Sequence, residues 1–493
     1  MVRYQSLGES SLRFKAVQDG LRRGVSVDNL LAGLGALLRN RADTLPTAKQ
    51  EELYDLSRPV PAFDKFLSHS WSSPGWQKVV ALMLDHLGLP ALVAASTAAM
   101  AVHVIQNYWE LPGTALYVRH DTYFRADVPV SFWEFGLAEA VALLLVFFGH
   151  KLYKGTFYFL DCASIHQTDK ELKLAGIAHI PDFLRNSGEI VVMWDEEYLT
   201  RMWCVYELAV AQAPGARRSI RLLPLDMYTT LALFSLYYAI LALGFVLVYP
   251  LIPGIWGLHV STFFCCGSLM ALIAHSSAGV AQLIQSIQNA MSNFRVRTTK
   301  IFYERDREIL NRSIEELYGS LDLFDIEVRT KVTKGVMEAF VGQRAMLPYR
   351  AFFGPLTSLF PFWVALCTGY IDKPAEVRVA MYIYAISESV AVFPVCTALA
   401  MELGRVVGKP TSGSNYGSYA RSAAIGASVA ILHGVWVQIS YVITMGVAFG
   451  ELPGLGLKPC HAAPLALATL LPVYAAAVWF FRPRPVEPSG VQG

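Results

Sequence analysis

Charge is what this 493-residue sequence has least of. Charged residues make up 16% of it, against about 25% in an ordinary soluble domain. Apolar residues reach 54% and mean hydropathy is +0.39. A wholly soluble chain is thereby excluded, and an integral membrane protein with a soluble part is expected. The net charge is only +2, so no basic footprint for nucleic acid is present. Cysteine is scarce as well. Of the seven, Cys265, Cys266, Cys367 and Cys396 fall inside apolar runs. No disulfide or zinc spacing appears, which fits a reducing cytosolic face and no metal site. The N-terminus is polar and lacks an apolar core segment, so no cleaved signal is expected.

Long apolar runs, by contrast, are plentiful. About eight are of spanning length, near the ~20 residues that cross a ~30 Å hydrocarbon core. They are Leu89–Ile105, Phe132–Phe148, Tyr228–Tyr249, Ile255–Ala274, Phe352–Tyr370, Val379–Met401, Ala423–Ala448 and Ala463–Phe481. An even number places residues 1–87, 151–226, 277–350, 402–421 and the tail on one side, and these hold nearly all the Lys and Arg. The positive-inside rule makes that side cytosolic, both termini included.

The soluble segments read as α/β. Phe63 to Ser70 is a strand, followed by a Pro74-Gly75 turn and a helix over Trp76–Leu87 with Val79, Val80, Leu82, Met83 and Leu87 on its apolar side. Thr156 to Leu160 is a β-branched and aromatic strand that empties into a loop at Asp161. Glu189 to Trp194 is another strand, and Thr200 to Ala211 turns helical. On that helix Trp203 and Glu207 lie four residues apart and share a face.

These segments resemble a Toll/interleukin-1 receptor (TIR) domain. Phe63-Asp64-Lys65-Phe66-Leu67-Ser68-His69-Ser70 is similar to the first TIR strand, and Tyr198…Trp203-Cys204-Val205-Tyr206-Glu207-Leu208 to the Tyr…Trp-Cys-x-x-Glu-Leu motif of plant-type members. Asp161-Cys162…His166-Gln167 echoes fungal heterokaryon-incompatibility domains, and Ser219 to Leu225 would be the next strand. The similarity covers a quarter to a third of the chain. It implies a flavodoxin-like parallel sheet, interrupted here by a transmembrane hairpin and followed by an α-helical multi-span membrane domain. The expected organisation is a polar lead-in at 1–61, sheet-domain parts at 62–87 and 151–226 around the inserted hairpin at 88–150, and a helix pair at 227–276. A soluble helical segment at 277–350, a four-span region at 351–482 and a tail at 483–493 complete it.

The resemblance also implies a site. In TIR domains that cleave NAD+, the glutamate matching Glu207 sits beside the nicotinamide ribose, where a carboxylate stabilises oxocarbenium character. Trp203 would wall the pocket, and Ser68, His69 and Ser70 would line it at the strand ends. Asp161, His166, Gln167 and Lys170 would lie in the loop used for assembly and gating. NAD+ would be a substrate, with no cofactor, and the partners would be the bilayer and other TIR-like domains, including copies of this chain. Many TIR domains are adaptors without activity, so self-association alone is the other outcome. A second class of function comes from the spans: Glu388, between Ser387 and Ser389, and His433 and Gln438 on another span are polar groups at membrane depth, which hint at a channel or transporter path.

Overall fold

Phe66 and Leu67 are buried on opposite faces of one strand, and the sheet is built outward from it. The computed structural model describes residues 20–482, apart from 41–43, 113–114, 122–125, 214–218, 249–255, 302, 336, 338–344, 346, 348, 408–414, 453 and 455. The start of the expected lead-in and the expected tail at 483–493 lie outside the described residues. The strands are β1 (Arg23–Ser26), β2 (Ser57–Pro59), β3 (Phe63–His69), β4 (Ala115–Asp121), β5 (Ala126–Ser131), β6 (Phe157–Phe159), β7 (Ser187–Trp194) and β8 (Ser219–Pro224).

Six of them form one sheet in the order β2-β1-β6-β3-β7-β8. The four strands β6-β3-β7-β8 run parallel, with Phe66 opposite Phe159 and Ile190, and Val192 opposite Ser68 and Leu222. Parallel strands covered on both faces carry continuous apolar runs, and Ile190 to Trp194 are all buried. Phe66 stacks on Phe159 at 4.4 Å between ring centroids, while Phe63 meets Phe159 and Phe183 edge-on.

The expected lead-in does more than precede this sheet. β1 pairs antiparallel with both β6 and β2, so it extends the sheet by two strands. Arg-Gly-Val-Ser and Ser-Arg-Pro are too short and mixed to show strand periodicity, and pairing, of the first with β6 and of the second with β1, decides their conformation. A helix follows β1 over Val27–Arg39, yet Ala32 to Gly35 leave helical dihedrals. Gly35, at φ +67°, sits so close to Val79 that a Cβ there would lie 2.2 Å from its Cγ2. Only glycine fits.

Two compact units result. The sheet unit comprises Met1–Asp85, Phe147–Thr229 and Ile287–Lys334, and the helical unit His86–Val146, Thr230–Ser286 and Gly335–Gly493. Within the sheet unit, the third segment covers the helix Met202–Ala211: Met202 N donates to Lys300 O (2.9 Å) and Tyr318 OH to Ala209 O (2.8 Å). Arg221 clamps the sheet's far edge, reaching both Asp85 oxygens (3.0 Å each) and Glu189 Oε1 (3.0 Å).

Among the described residues, seven helices are long and apolar enough to cross a bilayer: Gly75–Gln106, Trp133–Leu152, Leu225–Phe245, Phe263–Ser292, Ala375–Val407, Gly417–Phe449 and Pro459–Phe481. The protein is an integral, multi-pass membrane protein. Three features differ from the sequence expectation. The fifth expected run, Phe352–Tyr370, forms the shorter helix Phe353–Thr368, about 24 Å long at 1.5 Å per residue and short of the hydrocarbon thickness. The helix at Trp76–Leu87 and the span after it are one helix, Gly75–Gln106, which runs through Pro90. The loop between the first two spans is a β-hairpin of β4 and β5. Helices of this unit approach closely at small residues, as membrane helices do: a Cβ on Gly426 would lie 2.3 Å from Gly267 O.

Candidate functional site

The parallel strands β3 and β7 end on the same edge of the sheet, with His69 opposite Met193. After β7 the chain makes a tight turn at Tyr198–Thr200 and enters the helix Met202–Ala211. That helix carries Glu207 to the end of β3. Ser68 Oγ donates to Glu207 Oε2 at 2.5 Å and lies 2.6 Å from Tyr198 OH. Three residues, from the turn after β7, the end of β3 and a helix, thus form one hydrogen-bonded row, Tyr198–Ser68–Glu207.

A second polar group adjoins this row. Asp161, in the short helical turn after β6, accepts from Trp71 Nε1 (2.9 Å) and from Cys162 N (2.7 Å). The buried Lys78 donates to Ser70 O (2.6 Å), and its ammonium lies 5.0 Å from the Trp71 ring centre. The Ser73 hydroxyl donates to Asp195 Oδ2. Cys204 Sγ is 3.5 Å from His69 O. Two buried atoms here, His69 Nε2 and Asp195 Oδ1, have no hydrogen-bonding partner among the described residues.

Burial dominates the electrostatics. It pushes the Glu207 carboxyl up to about 8; the Ser68 hydrogen bond opposes this, and the negative charge of Asp161 adds to it. Asp161 and Asp195 are raised by the same cause. Burial, with Lys78 nearby, holds the His69 imidazole well below its ordinary range. Cys204 is pushed well above the thiol range, which makes it an unreactive packing group rather than a nucleophile. The site therefore presents a carboxyl that changes charge close to neutral pH, in a setting that favours an arriving cation. Such a group can move a proton or stabilise positive charge.

Of the residues expected from sequence, Ser68 and Glu207 touch, and Trp203 shares the helix with its ring edge-on to Tyr206 at 6.0 Å. His69 is buried against Trp71 (4.6 Å between ring centroids). Ser70 turns its hydroxyl to Ser72 (2.5 Å) instead of toward Glu207. Asp161 joins the polar cluster instead of the loop beyond it. Gln167 is tied back to Asp161 O (3.1 Å) and Ile165 O (2.8 Å). His166 accepts from Asp169 N (3.1 Å) and packs on Tyr54 (4.7 Å), and only Lys170 stands exposed. Sequence reasoning did not give roles to Tyr198, Trp71, Ser73, Lys78 or Asp195. The hydroxyl-rich run from Ser68 to Ser73 after a strand end was the available signal for the loop. Nothing marked Lys78, which sits beside the apolar residues of its helix.

The helical unit holds a different polar site. His433 Nε2 lies 3.2 and 3.3 Å from the two Glu388 oxygens, so the counter-group that Glu388 lacks locally in sequence comes from another helix. Each residue adjoins a π-helical turn, Glu388–Val392 on one helix and Gly434–Gln438 on the other. Both line a cavity of about 200 Å³. Glu134 differs, being satisfied by Gln106 (2.5 Å), Ser131 (2.5 Å) and Thr368. Compared with known protein families, curated proteins and solved structures, the chain matches none.

Proposed function

We propose that this protein is a membrane-embedded signalling protein whose sheet unit is a TIR-like domain, acting by self-association and by cleaving NAD+ at Glu207. The observation that carries the reading is the Ser68–Glu207 hydrogen bond, which puts a carboxyl of raised pKa at the carboxyl ends of parallel strands. Open α/β sheets bind ligands there. The order of the four parallel strands, second-first-third-fourth along the chain, is also that of flavodoxin-like sheets.

In the reaction, the bond between the ribose anomeric carbon and the nicotinamide nitrogen breaks. Its electron pair leaves with neutral nicotinamide, and the ribosyl cation that remains is stabilised by the Glu207 carboxylate. Water adds to that cation, giving ADP-ribose and a proton. The positive charge of the bound nicotinamide ring favours ionisation of Glu207, offsetting its burial. Trp203 offers a stacking surface, and Ser68 holds the carboxylate while Tyr198 holds Ser68. The sheet unit faces the cytosol in this reading.

A second reading, a channel or transporter regulated by the sheet unit, is favoured by the Glu388–His433 pair beside a cavity. NAD+ turnover by the purified full chain, dilute in detergent and crowded in membranes, separates the two. Turnover that Glu207→Gln removes supports the first. No NAD+ loss in either condition leaves self-association or the second reading.

A further inference from the structure

The cavity of the helical unit is lined mainly by aliphatic and aromatic side chains, among them Tyr238, Phe245, Trp363 and Tyr441. Its volume of about 200 Å³ exceeds the ~150 Å³ that admits benzene in an engineered apolar cavity. One carboxylate, Glu388, stands in this lining, and no lysine or arginine is among the lining residues. Its hydrogen-bonding partner among the described residues is His433. His433 balances a Glu388 carboxylate only when it carries a second proton, and a cation entering the cavity takes over that balancing among apolar groups.

The other polar groups around the cavity do not supply that cation. Tyr384 OH is engaged by Ser440 (2.6 Å) and Thr444 (3.3 Å). Cys265, Cys266 and Cys396 offer only thiols. His433 Nδ1 is buried without a hydrogen-bonding partner among the described residues, so the imidazole has polar capacity to spare. Independently, the π-helical turns at Glu388–Val392 and Gly434–Gln438 mark both helices at this point. Such turns interrupt the regular hydrogen-bond ladder and recur at functional sites.

Aromatic faces around a single carboxylate form a receptor for an organic cation: the rings attract positive charge through their quadrupoles, and the carboxylate neutralises it. We propose that this cavity binds a small aromatic ammonium ion, with Glu388 as its counter-ion and His433 orienting the carboxylate. The ligand's apolar body replaces empty space, and its ammonium group takes over from His433 as the counter-charge of Glu388. This site is separate from the Glu207 site and does not rest on NAD+ cleavage.

The test uses the full chain in lipid nanodiscs, with 2-phenylethylammonium and the uncharged, equally sized 2-phenylethanol as probes. Binding is measured at equilibrium with radiolabelled probes, after subtraction of empty nanodiscs. The wild type should bind the ammonium ion at least roughly tenfold more tightly than the alcohol, a preference worth about 1.4 kcal/mol. Glu388→Gln should abolish that preference while leaving alcohol binding intact, and Ala242→Phe, which fills the cavity, should remove both. His433→Gln, which keeps a hydrogen-bonding partner for Glu388 and the charge, should retain the preference; it serves if Glu388→Gln does not fold. Equal binding of both probes, binding of neither, a preference that survives Glu388→Gln, or one lost in folded His433→Gln overturns the proposal.

Discussion

Ser68 and Glu207, 139 residues apart in sequence, are joined by a 2.5 Å hydrogen bond from the serine hydroxyl to the carboxyl. One sits at the end of β3 and the other on the helix after β7, so the bond exists only once the parallel sheet has formed. It places a group whose charge changes near neutral pH in a fixed position. The predictions for the sheet unit start from that group.

Glu207→Gln keeps the side-chain volume and loses the charge. Loss of a group that stabilises charge in the transition state lowers kcat by roughly a hundred- to a thousandfold, with the fold retained by circular dichroism. Trp203→Ala raises KM instead, because it removes a stacking surface. Steady-state NAD+ kinetics on the three proteins checks both. Equal rates in wild type and Glu207→Gln would remove Glu207 from the chemistry.

If the carboxylate is the active form, kcat/KM climbs with pH and levels off above about 8, the value to which burial raises Glu207. This parameter reports ionisation in the free enzyme. A pH–rate profile from 6 to 9.5 measures it. A profile that falls across this range would assign the carboxyl the opposite role, that of a proton donor.

Stability runs the other way. Folded Glu207 keeps its proton up to about pH 8, whereas an unfolded glutamate loses it near ~4.3. Between these values the folded state binds more protons, so its contribution is full below the lower value and is lost as pH rises toward the upper one. The unfolding midpoint of the wild type is therefore lower at pH 8.5 than at 6.5. Most of that difference disappears in Glu207→Gln, as thermal unfolding followed by tryptophan fluorescence would reveal.

Arg221→Met strips the counter-charge from Asp85 and Glu189 at once. Asp85 keeps only 8% of its side chain exposed, but Arg221 keeps 32%, so water screens part of the loss. The expected cost exceeds about 1 kcal/mol and falls short of the ~3–5 kcal/mol for a fully buried pair. Chemical denaturation of the detergent-solubilised protein measures it. No change would make the clamp a surface contact.

Single cysteines introduced in Asn107–Val130 are labelled from outside intact cells, and those in Asp161–Lys173 only after permeabilisation. The expectation follows from the paired spans and the distribution of Lys and Arg. Labelling of both sets without permeabilisation contradicts it.

How much of this was legible beforehand depended on range. Apolar runs such as Tyr228–Tyr249 state their own membrane affinity, because transfer into hydrocarbon is a local property of about twenty residues. Buried parallel strands such as Ile190–Trp194 declare themselves similarly through continuous hydrophobicity, and the shared face of Trp203 and Glu207 follows from helical spacing alone. β1 and β2 could not be read, since four- and three-residue segments of this kind become strands only when β6 offers β1 a partner and β1 in turn offers one to β2. The Phe353–Thr368 run was apolar enough to be counted as a span, but where its helix starts and stops was settled by packing. Ser68 could be placed at a strand end from sequence, but not against Glu207 and Tyr198. Nor could Glu388 be matched with His433, 45 residues away on another helix. Composition and periodicity are additive along the chain, so the sequence by itself determined a membrane protein with an α/β soluble part. Which buried charges meet, and what their pKa values become, depends on distances across the fold and on burial, and these only the tertiary structure decided.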